Sequence, residues 1–208
     1  MMQKGVLAVV SGFSGAGKGT LMKALLRDHE SYALSISATT RQPREGEVDG
    51  REYFFLTREK FEQMIAEDAF IEYAQYVGNY YGTPKKYVED CLSAGKDVIL
   101  EIEVQGAMNV KKLFPDAVTI FVAPPSATEL KKRLEGRGTE TQEVIAGRMK
   151  RAQEEADLMD FYDYLLINDD LEESTRELHE LIVQSHKKMG LHKAFTETIK
   201  QELQEINK

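Results

Sequence analysis

"GVLAVVSGFSGAGKGT", residues 5–20, runs from valine-rich apolar sequence straight into four glycines around one cation. Gly12, Gly15, Gly17 and Gly19 pack no core, and glycine weakens a helix start, so their cost must be repaid by some other role. Gly12, four intervening residues and then Gly17-Lys18 match the spacing of a phosphate-binding loop. Without Cβ atoms, successive N–H groups can turn inward around a phosphate. The helix that follows points its N-terminus at the same place, and Lys18 adds a charge that reaches the outer phosphates. The strict pattern has Ser or Thr directly after the lysine. Here Gly19 intervenes, so the hydroxyl passes to Thr20, the candidate contact to Mg²⁺, directly or through water. The competing reading, a glycine-rich turn with an exposed lysine, is disfavoured because strand, loop and helix occur in the required order.

Beyond this loop, short apolar runs at 6–10, 97–104, 117–123 and 164–168 read as strands buried on both faces. Amphipathic helices are expected at 18–28, 58–70, 84–95, 105–114, 126–136, 140–160 and 171–189. The alternation predicts an α/β fold with a parallel sheet core flanked by helices. Residues 32–83 break the pattern. They are rich in Tyr, Phe, Thr and Gly and read as a small β-rich lobe inserted in the core. Gly136 and Gly138 end one helix, and Thr139 with Gln142 suits a capping box for the next, which predicts a hinged helical lid over 126–159. The core then comprises 1–31, 84–125 and 160–208. The tail 191–206 has helical spacing and is open to packing on the core or on a second copy of the chain.

The chain has 208 residues, 42% hydrophobic and 30% charged, enough for a sizeable core. Its net charge of −8 argues against a protein that wraps nucleic acid. The single cysteine, Cys91, excludes an intrachain disulfide and reads as a buried small hydrophobe. No signal peptide or membrane span is expected, and the cytoplasm is the expected compartment. His29, His179, His186 and His192 lack metal-ligand spacing, and His179 and His186 read as a solvated helix stripe.

Glu101 and Glu103, two apart in the run 97–104, are expected to share a strand face near the loop. Joining two anionic substrates requires cations between them. Arg41 and Arg44 flank Pro43 in "TTRQPREGE", a stiff loop suited to a phosphate monoester. Arg133 and Arg137 share a helix face, and Arg148 lies beyond the glycine hinge, so a lid could close three guanidiniums over phosphates.

With these parts in place, "SATTRQPREGEVDGREYFF", "FIEYAQYVGNYYGTP", "EIEVQGA", "LKKRLEGRGTET" and "INDDL" occur together and in order. The chain resembles the bacterial type of guanylate kinase over essentially its whole length. The resemblance implies transfer of the γ-phosphoryl group of ATP to GMP, and to dGMP, with Mg²⁺. It implies that Gly12, Phe13, Ser14, Gly15, Ala16, Gly17, Lys18, Gly19 and Thr20 hold the ATP phosphates, with Asn168 near the adenine. Arg41, Arg44, Tyr53 and Tyr81 would grip the GMP phosphate. Ser37, Glu72, Thr83 and Glu103 would face the guanine, and Arg133, Arg137 and Arg148 would be lid cations. Glu103 stands where the family usually has Asp. Thr83 also suits a helix N-cap ahead of Pro84, and Tyr80 suits packing within the small lobe. Two rivals remain: a phosphopeptide-binding scaffold of the same fold, and a kinase for another monophosphate or a phosphorylated sugar.

Overall fold

The computed structural model describes residues 4–76, 78–136 and 141–207. In chain order the elements are β1 (Leu7–Gly12), α1 (Lys18–Asp28), β2 (Tyr32–Leu34), β3 (Ala38–Thr39), β4 (Phe54–Phe55), α2 (Arg58–Ala66), β5 (Phe70–Tyr76) and β6 (Asn79–Pro84). They continue with α3 (Lys85–Ser93), β7 (Asp97–Glu101), α4 (Val104–Leu113), β8 (Val118–Ala123), α5 (Ala127–Glu135), α6 (Gln142–Ala156), β9 (Tyr164–Ile167), α7 (Leu171–Ser185) and α8 (Lys193–Ile206).

Five strands form an all-parallel sheet in the order β2-β7-β1-β8-β9. Alternation along β1 sends its side chains to two separate cores. Ala8 and Val10 pack with Leu21 and Leu25 of α1 and Leu178 and Ile182 of α7. Leu7 and Val9 pack with Val88 and Leu92 of α3 and Ala107 and Val110 of α4. Helices therefore cover both faces, which is why the strand sequences are apolar throughout rather than alternating. Cys91 is half-buried against the second core.

The inserted lobe has its own sheet, in the order β4-β3-β6-β5, with β5 and β6 antiparallel. Phe61 of α2 is fully buried, stacked on Phe70 at 4.3 Å and on Tyr80 at 5.1 Å. Tyr80 thus takes the packing role. Tyr32–Leu34, at the start of the inserted region, pairs with β7 as an edge of the parallel sheet, so the second sheet draws on residues 38–84.

Several expected boundaries shift. The run 97–104 spans a strand and the first residue of a helix: β7 stops at Glu101, and Glu103 is the N-cap position of α4. Glu101 and Glu103 therefore do not share a strand face. Asp68, at φ 52°, reverses the chain after α2, so the helix expected to reach 70 ends at Ala66. Thr141 caps α6 by accepting from the Val144 N–H at 3.4 Å, while Thr139 lies outside the described residues. His179 and His186 are not a solvated stripe. The His179 ring stacks on His29 at 3.8 Å and its Nδ1 meets the Tyr32 hydroxyl at 2.7 Å, while His186 Nε2 lies 2.9 Å from Asp97. α8 buries none of its residues, and its Phe195, Ile199 and Leu203 are exposed. Among the described residues no helix is long and apolar enough to cross a membrane.

Asp163, just before β9, ties that strand to its neighbours. Its carboxylate accepts from Lys111 Nζ at 2.7 Å, from the Thr119 N–H at 2.9 Å and from Lys188 Nζ at 3.4 Å. Burial pushes its pKa up, but Lys111 and the Thr119 amide together outweigh this and hold it below the usual Asp value. A carboxyl with a depressed folded pKa contributes stability that is present above its unfolded pKa and lost as pH falls through the folded one. Asp163→Ala is expected to lower stability by about 1–3 kcal/mol at neutral pH. The deficit should shrink on acidification below about pH 4. Urea unfolding of both proteins across pH checks this, and a deficit constant with pH would refute it.

Candidate active site

The phosphate loop leaves β1 at a residue with no room for a side chain. Gly12 has φ 149°, and a Cβ there would lie 2.0 Å from the Val122 carbonyl oxygen of β8. The chain then turns through an Ala16 N–H to Phe13 C=O bond of 3.0 Å, and Gly17, at φ 91°, occupies the N-cap position of α1. Lys18 folds back across the loop, its Nζ donating to Gly12 O at 2.6 Å and Phe13 O at 3.1 Å. Its ammonium therefore sits over the loop's own backbone, where anionic ligands would bind. Thr20 is exposed in the first turn of α1.

One expected lid cation meets this loop, and a second is held at Asn168 behind it. Arg148 of α6 donates to Ser14 Oγ at 3.2 Å. Arg133 of α5 donates to the Asn168 carbonyl at 2.9 Å and to Glu129 at 3.0 Å. Asn168 follows β9, is buried, and gives its Nδ2–H to the Ala16 carbonyl at 2.7 Å. Arg137 lies outside the described residues. Glu101, exposed at the carboxyl end of β7, has its carboxyl raised by desolvation from the groups around it and pulled partly back by Lys18. Among the described residues no group of three or more His, Cys, Asp or Glu side chains could hold a metal ion.

On the inserted lobe, Arg41 makes a bidentate pair with Glu47, both contacts at 2.9 Å, and its guanidinium lies 5.3 Å from the Tyr53 ring centroid. The Tyr53 and Tyr81 rings are 6.2 Å apart, which completes a cluster of one guanidinium and two phenols. Arg44 contributes its backbone N–H to Glu47 at 2.7 Å. Glu47 escaped the sequence reading: it lies in the same proline-stiffened loop, but nothing in its spacing marks it as the partner of Arg41. Ser37 is half-buried just before β3, where its carbonyl accepts from the Phe54 N–H at 2.9 Å.

Glu72 of β5 and Thr83 of β6 form a second pair. The fully buried Thr83 hydroxyl donates to Glu72 Oε1 at 2.7 Å. Thr83 therefore does not cap α3, whose N-cap position is taken by Pro84. Burial pushes the Glu72 carboxyl above the usual Glu value, and the Thr83 hydroxyl offsets part of the rise. A Cβ on Gly106 would come within 3.4 Å of Glu72 Oε2, so α4 of the core closes directly over this lobe carboxylate. Glu103 forms an ion pair with Arg151 of α6. Arg151 also reaches Glu155 at 3.2 Å, and burial raises the Glu155 carboxyl.

The arrangement holds a cation-lined loop at the carboxyl end of a parallel sheet and a buried carboxylate–hydroxyl pair on a separate lobe. That combination suits binding one polyphosphate and one partner with hydrogen-bond donors.

The family model described as "Guanylate kinase" matches residues 4–185. A curated guanylate kinase of Bacillus cereus is 55% identical over 185 residues, 88% of this chain and 90% of the relative. A guanylate kinase of Bacillus anthracis gives the same figures. The crystal structure of guanylate kinase from Anaplasma phagocytophilum aligns with a TM-score of 0.69 at 33% identity, covering 89% of this chain and 88% of that one.

Proposed function

The chain belongs to the guanylate kinase family, nucleoside monophosphate kinases that phosphorylate GMP to GDP at the expense of ATP, and we propose that it does so by direct in-line transfer assisted by Mg²⁺. The observation that carries this reading is the convergence of cations from separate segments on one loop. Lys18 lies across it, Arg148 reaches Ser14 from α6, and Arg133 is tied to Asn168 behind it.

In this reading the amides of residues 12–20 and Lys18 hold the phosphates of ATP. The Glu47-bound Arg41, with Arg44, Tyr53 and Tyr81, holds the phosphate of GMP. The Arg41–Glu47 pair gives the guanidinium a fixed orientation before substrate arrives, so less side-chain entropy is lost on binding. Glu72, Thr83 and Ser37 read the guanine edge. The acceptor phosphate oxygen is itself the nucleophile, so no protein base is needed. Lys18, Arg133, Arg137 and Arg148 stabilise the charge spread over the transferring group.

The donor set fits Mg²⁺: the Thr20 hydroxyl and the Glu101 carboxylate are hard oxygen ligands, and Mg²⁺ ordinarily takes one or two such groups together with substrate phosphates and water. When bound, the ion would neutralise phosphate charge. The regions 32–83 and 126–159 act in this reading as acceptor lobe and lid on the core. The net charge of −8 supports small-molecule substrates rather than nucleic acid, and we take the cytoplasm as the working compartment.

The test is an acceptor panel of GMP, dGMP, AMP, UMP and CMP with Mg-ATP, followed as ADP release. GMP and dGMP are expected to turn over and the other three to be poor. Preference for another acceptor would overturn the guanine reading, and binding without any turnover would favour a phosphopeptide-type scaffold.

A further inference from the structure

We infer that Asn168 is a positioning residue of the phosphate loop, whose side-chain amide aims one loop N–H at the bound phosphates. This rests on the reading above that the loop holds the donor phosphates.

A loop that turns its N–H groups inward must turn some carbonyls outward. Ala16 is fully buried, so its outward carbonyl needs a donor from the protein. Asn168 Nδ2 supplies it at 2.7 Å. The peptide joining Ala16 and Gly17 is planar and trans, so its C=O and N–H point in opposite directions. Pinning the Ala16 oxygen outward therefore fixes the Gly17 N–H inward.

The anchor itself is held on both sides. The Asn168 N–H donates to Ala123 O at 2.8 Å at the end of β8, and its carbonyl accepts from Arg133 at 2.9 Å. Gly17 is matched to it: a Cβ there would lie 2.5 Å from Asn168 Nδ2. The Asn168 Nδ2 is thus committed to the loop. Its effect should extend to any ligand that uses the loop, whatever base that ligand carries.

Calorimetry on the full chain separates the two roles, with Mg²⁺ present and three probes: ATP, inorganic tripolyphosphate and GMP. Asn168→Ala is expected to weaken ATP and tripolyphosphate by the same factor, about tenfold, with GMP unchanged. The main-chain contact to Arg133 survives this substitution. Weaker ATP with unchanged tripolyphosphate would overturn the proposal in favour of adenine contact. Equal loss for all three probes would assign Asn168 to folding alone and overturn it as well. If the wild-type protein binds neither triphosphate nor tripolyphosphate, the phosphate-loop reading itself fails, before the variant is considered. Should the variant not fold, amide exchange in the wild-type protein decides. The Asn168 side-chain protons are expected to exchange slowly without nucleotide and to stay slow when ATP is added. Exchange as fast as that of the exposed Asn109 would overturn the proposal.

Discussion

Lys18→Ala is expected to lower turnover by about a hundred- to a thousandfold while leaving the protein folded. The Lys18 ammonium is the charge nearest the loop backbone, resting on the Gly12 and Phe13 carbonyls at 2.6 and 3.1 Å. Those two contacts are modest in net stability, about 1 kcal/mol each, because water replaces them when the side chain is removed. The surrounding structure does not depend on them. Gly12 is fixed by its fit against Val122, and α1 buries Leu21, Met22, Ala24 and Leu25 on its inner side. Transfer of a phosphoryl group is a different matter, since negative charge accumulates where no water can compensate and a fixed cation is worth several kcal/mol. Loss should therefore fall on kcat rather than on the melting temperature. Steady-state ADP release alongside thermal unfolding by circular dichroism separates the two, and near-normal turnover in a folded variant would reject the role given to Lys18. The same substitution should raise the Glu101 carboxyl further, because Lys18 is what pulls it down against desolvation.

The sequence made the loop and its helix legible because both are local. Glycine spacing needs no tertiary information, and α1 spans the residues that its periodicity predicts, Lys18–Asp28. The run "DVILEIEV" failed for a physical reason. Alternating carboxylates among apolar residues satisfy a strand pattern, but Glu101 ends the strand and Glu103 begins a helix. At that break α4 packs onto β1 of the sheet and β5 of the lobe, contacts that the run by itself does not reveal. The histidines were misread in the same way. His29 and His179 are 150 positions apart, and only folding brings their rings to 3.8 Å. Arg41 was picked out by its charge beside a proline. Its partner Glu47 was not, since an acidic residue in a polar loop carries no signal of its own. Thr83 allowed two readings, cap or polar contact, and its 2.7 Å bond to Glu72 together with Pro84 at the cap position separates them.

Glu72→Ala is expected to raise the KM for GMP by about a hundredfold or more, with the KM for ATP nearly unchanged. Guanine presents an N1–H and an exocyclic amino group side by side, and an ionised carboxylate accepts from both. Each such charge-assisted bond is worth about 1.5–3 kcal/mol. Adenine presents an acceptor at N1, so it would leave the buried carboxylate facing a lone pair. Inosine monophosphate sharpens the test, because it keeps the N1–H and lacks the amino group. The wild-type preference for GMP over inosine monophosphate should be large, and in Glu72→Ala it should largely collapse. The pH dependence runs in a definite direction. Burial holds the Glu72 carboxyl protonated to higher pH than an ordinary Glu, with Thr83 opposing. Only the ionised form accepts both guanine donors, so the wild-type KM for GMP should rise as pH falls through that elevated value. Glu72→Ala should show no such rise over the same interval. A variant in which only the ATP KM moves, or whose GMP KM keeps the wild-type pH profile, would place the guanine contact elsewhere.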